Sequence, residues 1–415
     1  MNKNIKLAVA GAVLALSATA NAGIIIPAGD WTVDLGGNMN AFIANVDTET
    51  TSSAGVRTKA RDTNTIGTGL LPAALGIGAK TRQNDIDTAI QFTFFTGTSS
   101  GDTGLAQRNG SGAGNNTLNI RQAFLTFGDK SWGTFKLGRD LGIFGSDAIL
   151  SDMTLLGVGT GGAPGGSSTL GRIGSGYIYA DWKGQVSYAT PNFNGFQISI
   201  GAMENFGNAQ QARRDLSYEA KATYDFAASD VTGRVWVGGL TQKSEGLAAV
   251  SATGLYVGGA SDVAVSTSNL GVAAVAAGNS YTSRGVDVGI KLSAGPATLV
   301  GYYYDGKGLD GQNSVQGIFN RNGVRSDDDG GYVQGTFALP GIGTKLGASF
   351  GRSNSKHAAT GFDIENESYV VGAYHPLTKH LNLVTEYTSQ DIKDKAAGAT
   401  KTERDTVSVG AILFF

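Results

Sequence analysis

The chain reads as all-β, and specifically as a sixteen-stranded antiparallel transmembrane β-barrel with short turns at one rim and long loops at the other. Three observations predict this. Segment after segment alternates apolar and polar residues with a period of two, the mark of a strand with two different faces. Short turns and long loops alternate along the C-terminal half, as in an up-and-down barrel with a periplasmic and an extracellular rim. The composition, with 63 Gly, 7 Pro and no Cys, suits one closed sheet that satisfies its own backbone and excludes disulfides as the source of stability.

The N-terminus comes first. Lys3 and Lys6 precede an apolar run, Leu7 to Leu16, and then Ala20-Asn21-Ala22. This reads as a secretory signal peptide over residues 1–22, with a mature chain from Gly23. The run is about half of the ~20 residues a membrane-spanning helix needs. Residues 23–415 are expected to form a single barrel domain, since no linker separates segments of different character. The formal charge is −2, and removing Lys3 and Lys6 leaves 30 of the 32 basic side chains against 34 acidic ones, or −4. That near-neutral balance argues against nucleic acid as a partner and gives a slight preference for cations.

Trp31 to Ile43 is the first strand, with Trp31, Val33, Leu35, Met39 and Ile43 opposed to Thr32, Asp34, Asn38 and Asn40. The second falls within Thr63 to Leu71, before a turn near Pro72. Gln83 to Thr96 alternates again, with Ile86, Ile90 and Phe92 on one face and Asp85, Asp87 and Gln91 on the other. After a Gly/Ser/Asn loop from Gly97 to Thr117, Leu118 to Phe127 and Gly133 to Arg139 are strands of ambiguous facing around a tight turn at Gly128 to Ser131. Then come about forty residues with almost no strand pattern, up to Ala180 to Thr190. Loops of such length are usually functional or disordered, and Ile143, Phe144, Ile149, Leu150, Met153 and Leu155 are anchors a disordered linker would lack, so this one is expected to fold inward.

From Pro191 onward the punctuation is regular. Short turns fall at Pro191 to Asn194, Ala227 to Asp230, Ala294 to Pro296, Leu339 to Ile342 and Pro376 to Lys379, with longer loops between. Gln242 to Ser280, rich in Ala, Val, Gly and Ser, reads as a flexible extracellular loop, with a short extra hairpin as the alternative. Alternation places Glu219 and Asp287 on the luminal face, and the last strand runs to Phe415.

Several of these segments resemble the general porins of Gram-negative outer membranes: Arg121-Gln122-Ala123-Phe124 leading to Trp132-Gly133-Thr134-Phe135-Lys136-Leu137-Gly138-Arg139, the long loop that follows, Val186 to Phe196, and the terminal Phe415. The resemblance implies a homotrimer in the outer membrane, among its lipid and lipopolysaccharide, passing small hydrophilic solutes and ions by passive diffusion. A substrate-selective channel is the alternative. It further implies a third extracellular loop folded into the barrel, whose acidic residues face a basic wall. Matched to this chain, the acidic candidates on the loop are Asp140, Asp147 and Asp152, and the basic candidates on the wall are Arg121, Arg139, Arg172, Lys136 and Lys183. Phe415 resembles the family's signal for the outer-membrane assembly machinery. The glycine-rich run Gly157 to Gly166 departs from the family pattern.

No cofactor or metal is expected. Gly157 to Gly162 has the letters of a dinucleotide fingerprint without its strand and helix. His375 and His380 flank the short Pro376 to Lys379 turn with no carboxylate close by in sequence to suggest a hydrolase, His357 lies in a long loop, and Asp327 to Asp329 reads as a solvated loop end rather than a calcium site.

Overall fold

The computed structural model describes residues 23–60, 62–98, 118–161, 168–205, 211–212, 215–246, 280–309, 325–357, 362–395 and 400–415. The expected signal peptide lies outside the described residues, as do 247–279 and most of the loop expected from Gly97 to Thr117.

Sixteen strands close into one antiparallel barrel. They are β1 (Trp31–Thr51), β2 (Ala73–Gln83), β3 (Ile86–Thr96), β4 (Asn119–Asp129), β5 (Gly133–Leu141), β6 (Trp182–Ala189), β7 (Phe196–Glu204) and β8 (Leu216–Ala228). There follow β9 (Val231–Gly246), β10 (Ser280–Ala294), β11 (Ala297–Lys307), β12 (Asp327–Ala338), β13 (Lys345–His357), β14 (Phe362–Pro376), β15 (Leu381–Asp394) and β16 (Lys401–Phe414). Closure comes from β1 pairing with β16, Asn38 opposite Phe414 through Thr51 opposite Lys401. The short strands Ile24–Ala28, Arg57–Lys59 and Thr63–Gly67 add to the edges of β1.

The barrel inverts the usual relation between polarity and burial. Ile43, Ile90, Phe92, Val286 and Val409 are exposed on the outside, while Asn38, Asn40, Gln91, Thr93 and Ser408 are buried inside. Aromatic side chains gather on the outer face toward both rims. Phe127, Trp132, Phe135 and Tyr188 cluster near the short turns, and exposed Tyr218 and Tyr303 stand nearer the long loops. An apolar band between two aromatic girdles is the outer surface of a barrel that crosses a membrane with its strands. Among the described residues no helix is long and apolar enough to cross one.

The second strand departs from expectation. Thr63–Gly67 is only an outer segment paired with β1, and the stave continues past Pro72 as Ala73–Gln83 to a tight turn at Asn84 and Asp85. Both turn residues have positive φ, 48° and 62°, as a two-residue hairpin of the primed type requires. The stave breaks at Thr68 to Leu71 because that backbone is occupied: Gly69 N–H donates to Asn40 Oδ1 at 2.9 Å, and Leu70 N–H to the carbonyl of Gly157, in the long loop, at 2.8 Å. Between β3 and β4 the register slips at Thr93 and Phe94 of β3, leaving Arg121 of β4 as an extra residue. The bulge buries Arg121 and Gln122 in succession, so period-two counting could not assign that strand a face.

Candidate functional site: the loop inside the barrel

The connection between β5 and β6 lies inside the barrel. Its neck is closed by Gly142 N–H donating to the carbonyl of Asp181 at 2.8 Å. Beyond it come a short helix, α1 (Ser146–Ser151), a 3₁₀ turn (Met153–Leu156), and a return in which Gly159 and Thr160 bridge to Gly171. The expected anchors pack against apolar side chains of the inner wall. Phe144, Ala148, Ile149, Leu155, Tyr177 and Ile178 share a core with Trp236, Leu240, Val300, Tyr302, Tyr304 and Tyr332. Met153 and Val158 join Phe42, Val370, Val384 and Ile412 in a second core. These apolar wall positions sit on the luminal face because the loop, not water, covers them.

Buried loop backbone must be hydrogen-bonded, and wall side chains do this. Glu219 Oε2 accepts from Ile143 N–H at 2.7 Å and Phe144 N–H at 2.8 Å. Asp287 Oδ2 accepts from Gly145 N–H at 3.1 Å and the Tyr302 hydroxyl at 3.2 Å. Gly145 has φ 74°, so the chain reaches this point in a conformation that favours glycine. Gln334 clamps the exit of α1, accepting from Met153 N–H at 2.7 Å and donating to the Ser151 carbonyl at 3.0 Å. Glu386 Oε2 accepts from Val158 N–H at 2.7 Å and Gly159 N–H at 2.8 Å, and its other oxygen accepts from the Tyr374 hydroxyl at 2.6 Å. A Cβ on Gly157 would stand 2.1 Å from that carboxylate, so the glycine permits the approach.

The charged candidates are distributed differently from expectation. Of the three acids assigned to the loop, Asp147 alone meets a wall arginine, Arg234, at 3.2 Å, and it also pairs with Lys221. Burial opposes its ionisation, but Lys221 and Arg234 more than offset this and hold the carboxyl below its ordinary range. Asp152 stays within the loop, accepting from Thr154 N–H at 2.9 Å, Arg172 N–H at 3.2 Å and the Tyr177 hydroxyl at 2.8 Å. Burial and the adjacent Asp152 raise the Tyr177 hydroxyl well above its usual value, keeping it a donor. Asp140 is not a loop residue: β5 extends through Leu141, and Asp140 faces inward to accept from Gln122 Nε2 at 2.8 Å and pair with Lys136.

Among the bases, Arg172 belongs to the loop rather than the wall. It is fully buried, and its Nη1 donates to the Ser368 hydroxyl at 2.9 Å. Arg139 is opposite Ala123 and Gly184, in the face that carries Phe92 and Val186, so the register turns it to the outside of the barrel. Arg121 is inside, its guanidinium carbon 5.0 Å from the Phe95 ring centroid. Lys183 pairs with Glu219 beneath the neck of the loop, and Lys136 lies over the Phe124 ring at 4.9 Å. Phe415 exchanges backbone hydrogen bonds with Gly37 at 2.9 and 3.1 Å on the closing seam.

Sequence reasoning missed Glu386, Gln334, Lys221 and Arg234. Alternation marks them as luminal, but contacts such as Val158 with Glu386 span 228 positions and leave no local trace. Asp327, Asp328 and Asp329 open β12 and alternate in facing: Asp327 pairs with Lys307, Asp328 accepts from the Ser355 hydroxyl and Asp329 from Asn354.

The arrangement is a barrel with a loop anchored at several points on its inner wall. A family model described as Gram-negative porin matches residues 7–395. No curated protein matches the chain by sequence. Among solved structures, the outer membrane channel DcaP of Acinetobacter baumannii aligns at 16% identity and TM-score 0.60, over 95% of this chain and 100% of that one. The anion-selective porin from Comamonas acidovorans aligns at 15% and 0.57, over 93% and 100%. OmpT of Vibrio cholerae, described as outer-membrane expressed, aligns at 16% and 0.56, over 94% and 100%.

Proposed function

Since the chain belongs to the Gram-negative porin family and is an outer-membrane channel by that membership, we propose that it passes small hydrophilic solutes and ions by passive diffusion through a water-filled bore narrowed by the loop after β5. The observation that carries this reading is the anchorage of that loop: Glu219, Asp287, Gln334 and Glu386, from four separate strands, hold its backbone inside the lumen. A loop tied so widely is a fixed restriction rather than a lid.

In this reading the short turns face the periplasm and the long loops the exterior. Lys136 with Asp140, and Asp147 with Lys221 and Arg234, present charge at the narrowing, where charged rings set ion preference. Arg121 supports the wall there, Lys183, Asp152 and Arg172 serve the loop's anchorage, and Arg139 faces away from the bore. The protein works as a homotrimer, as the trimer form described for OmpT of Vibrio cholerae suggests, set in outer-membrane lipid and lipopolysaccharide, with Phe415 as the mark read by the assembly machinery. Neither cofactor nor catalysis enters this function.

Folded trimer in a planar bilayer is expected to give stepwise, ohmic conductance. Silence from correctly folded trimer would refute the proposal.

A further inference from the structure

The luminal acids and the luminal bases are used differently. Glu219, Asp287 and Glu386 are 2%, 4% and 2% exposed, with their oxygens directed at loop N–H groups and tyrosine hydroxyls. The loop covers all three carboxyl groups. Level with Asp287 in the ladder register and onward to the short-turn rim, the inner wall instead presents Lys221 on β8, Arg234 on β9, Lys291 on β10 and Lys345 on β13, all partly open to the bore.

Two acids make ion pairs with these four bases, and Asp287 lies within electrostatic range of Lys221. Asp147 pairs with Lys221 and Arg234, and Asp225 takes Arg234 at 2.6 and 2.7 Å through both oxygens. Lys291 stands directly opposite Arg234 across the strand pair, a like-charge placement that costs stability in a sheet. Among the described residues it makes no ion pair, with Asp147 the acid within electrostatic range. Lys345 rests its ammonium 4.9 Å from the Tyr374 ring centroid and lies within electrostatic range of Lys291. The result is a patch in which bases outnumber their ion-paired acids by two, on one side of a narrow passage whose low-dielectric walls focus the field on a passing ion.

We propose that Lys221, Arg234, Lys291 and Lys345 form an anion-binding station inside the barrel, on the short-turn side of the loop, for small solutes bearing carboxylate or phosphate groups. The proposal rests on the channel reading above. Arg234 is already held on both edges by Asp225 and Asp147, so the free donors are the two lysines, which act as point charges. The station therefore selects by charge rather than by the shape of the anion. The acid excess of the whole chain does not predict this, because the luminal acids named above are occupied by the loop.

The test uses full-length trimer in planar bilayers under a potassium chloride gradient, with inorganic phosphate then added from the short-turn side. Wild type is expected to show a reversal potential on the chloride side and a phosphate-dependent reduction of current. In Lys291→Gln and Lys345→Gln, which keep a polar side chain without the charge, the half-blocking phosphate concentration should rise about fivefold each, the worth of one exposed ion pair. Lys291→Glu with Lys345→Glu should move the reversal potential to the potassium side. Open channels whose selectivity and phosphate block are the same in wild type and both glutamine variants would overturn the station while leaving the channel intact. Absence of conductance from folded wild type would overturn the channel reading, and the station with it.

Discussion

The inner wall under the loop and the inner wall facing it are built from the same alternating strands, yet they do different work. On β8 to β15, luminal positions hold Trp236, Tyr302, Tyr332 and Tyr374 together with Glu219, Asp287 and Glu386, an apolar core with acceptors set into it. On β3 to β5 the luminal positions are Gln91, Thr93, Gln122, Lys136 and Asp140, bonded to one another along and across neighbouring strands. One side is a docking surface that resembles a protein interior. The other is a polar lining whose bonds are local. A barrel can thus carry a fixed obstruction because half of its lumen has given up being a pore wall.

The contrast is broken most strongly at Glu386. Glu386→Ala leaves Val158 N–H, Gly159 N–H and the Tyr374 hydroxyl without their acceptor, a cost on the order of 3 kcal/mol. Hydrogen exchange at Val158 and Gly159 should accelerate and single-channel conductance should rise while the barrel stays folded. Gly289→Ala comes next: the added Cβ would lie 2.0 Å from the Trp236 indole, and overpacking of this kind costs about 1–3 kcal/mol. A change in tryptophan fluorescence, with loosened loop exchange, is the expected readout.

Asp147→Asn removes the partner shared by Lys221 and Arg234, and reversal potentials should move toward the anion by a modest step. The same site sets a pH response. A carboxyl whose folded pKa is lowered gives stability that is present above its unfolded value and is lost as pH falls through the folded one. The Asp147 tie should therefore persist through the ordinary carboxylate range and fail only below it, as loop exchange measured against pH would report. The smallest effect is expected on the bare wall, where Lys136 keeps 26% of its side chain exposed. Lys136→Gln should change thermal stability by less than about 1 kcal/mol and alter conductance only slightly.

Much of this architecture is legible from residue order. Ile43, Ile90, Phe92 and Val409 point outward as alternation requires, and the turns at Pro191 to Asn194 and Ala294 to Pro296 fall between the strands they separate. The inward fold of the loop follows from Phe144, Ile149 and Met153, which need apolar company. The particular partners do not follow. An inserted residue at Arg121 shifts the phase on which facing is judged, and the break at Leu70 exists only because Gly157 arrives from elsewhere in the chain. Arg139 and Asp140 are adjacent, so alternation alone requires that they face apart, and a motif that pairs them by family likeness overrides that simpler rule.

The seam between β1 and β16 also sets the order in which the molecule can be made. Asn38 must find Phe414, and Gly37 must find Phe415, so the last two residues complete a ladder begun near the other end of the chain. Contacts of such sequence separation form slowly. Until they form, both edge strands carry a row of unpaired backbone groups that hydrocarbon cannot satisfy. The open sheet is therefore a species that needs shelter, and its time of exposure ends only when the final strand has been delivered. A chain shortened by a few residues at Phe415 would keep nearly every contact of the pore and still lose the final pairs of the closing ladder.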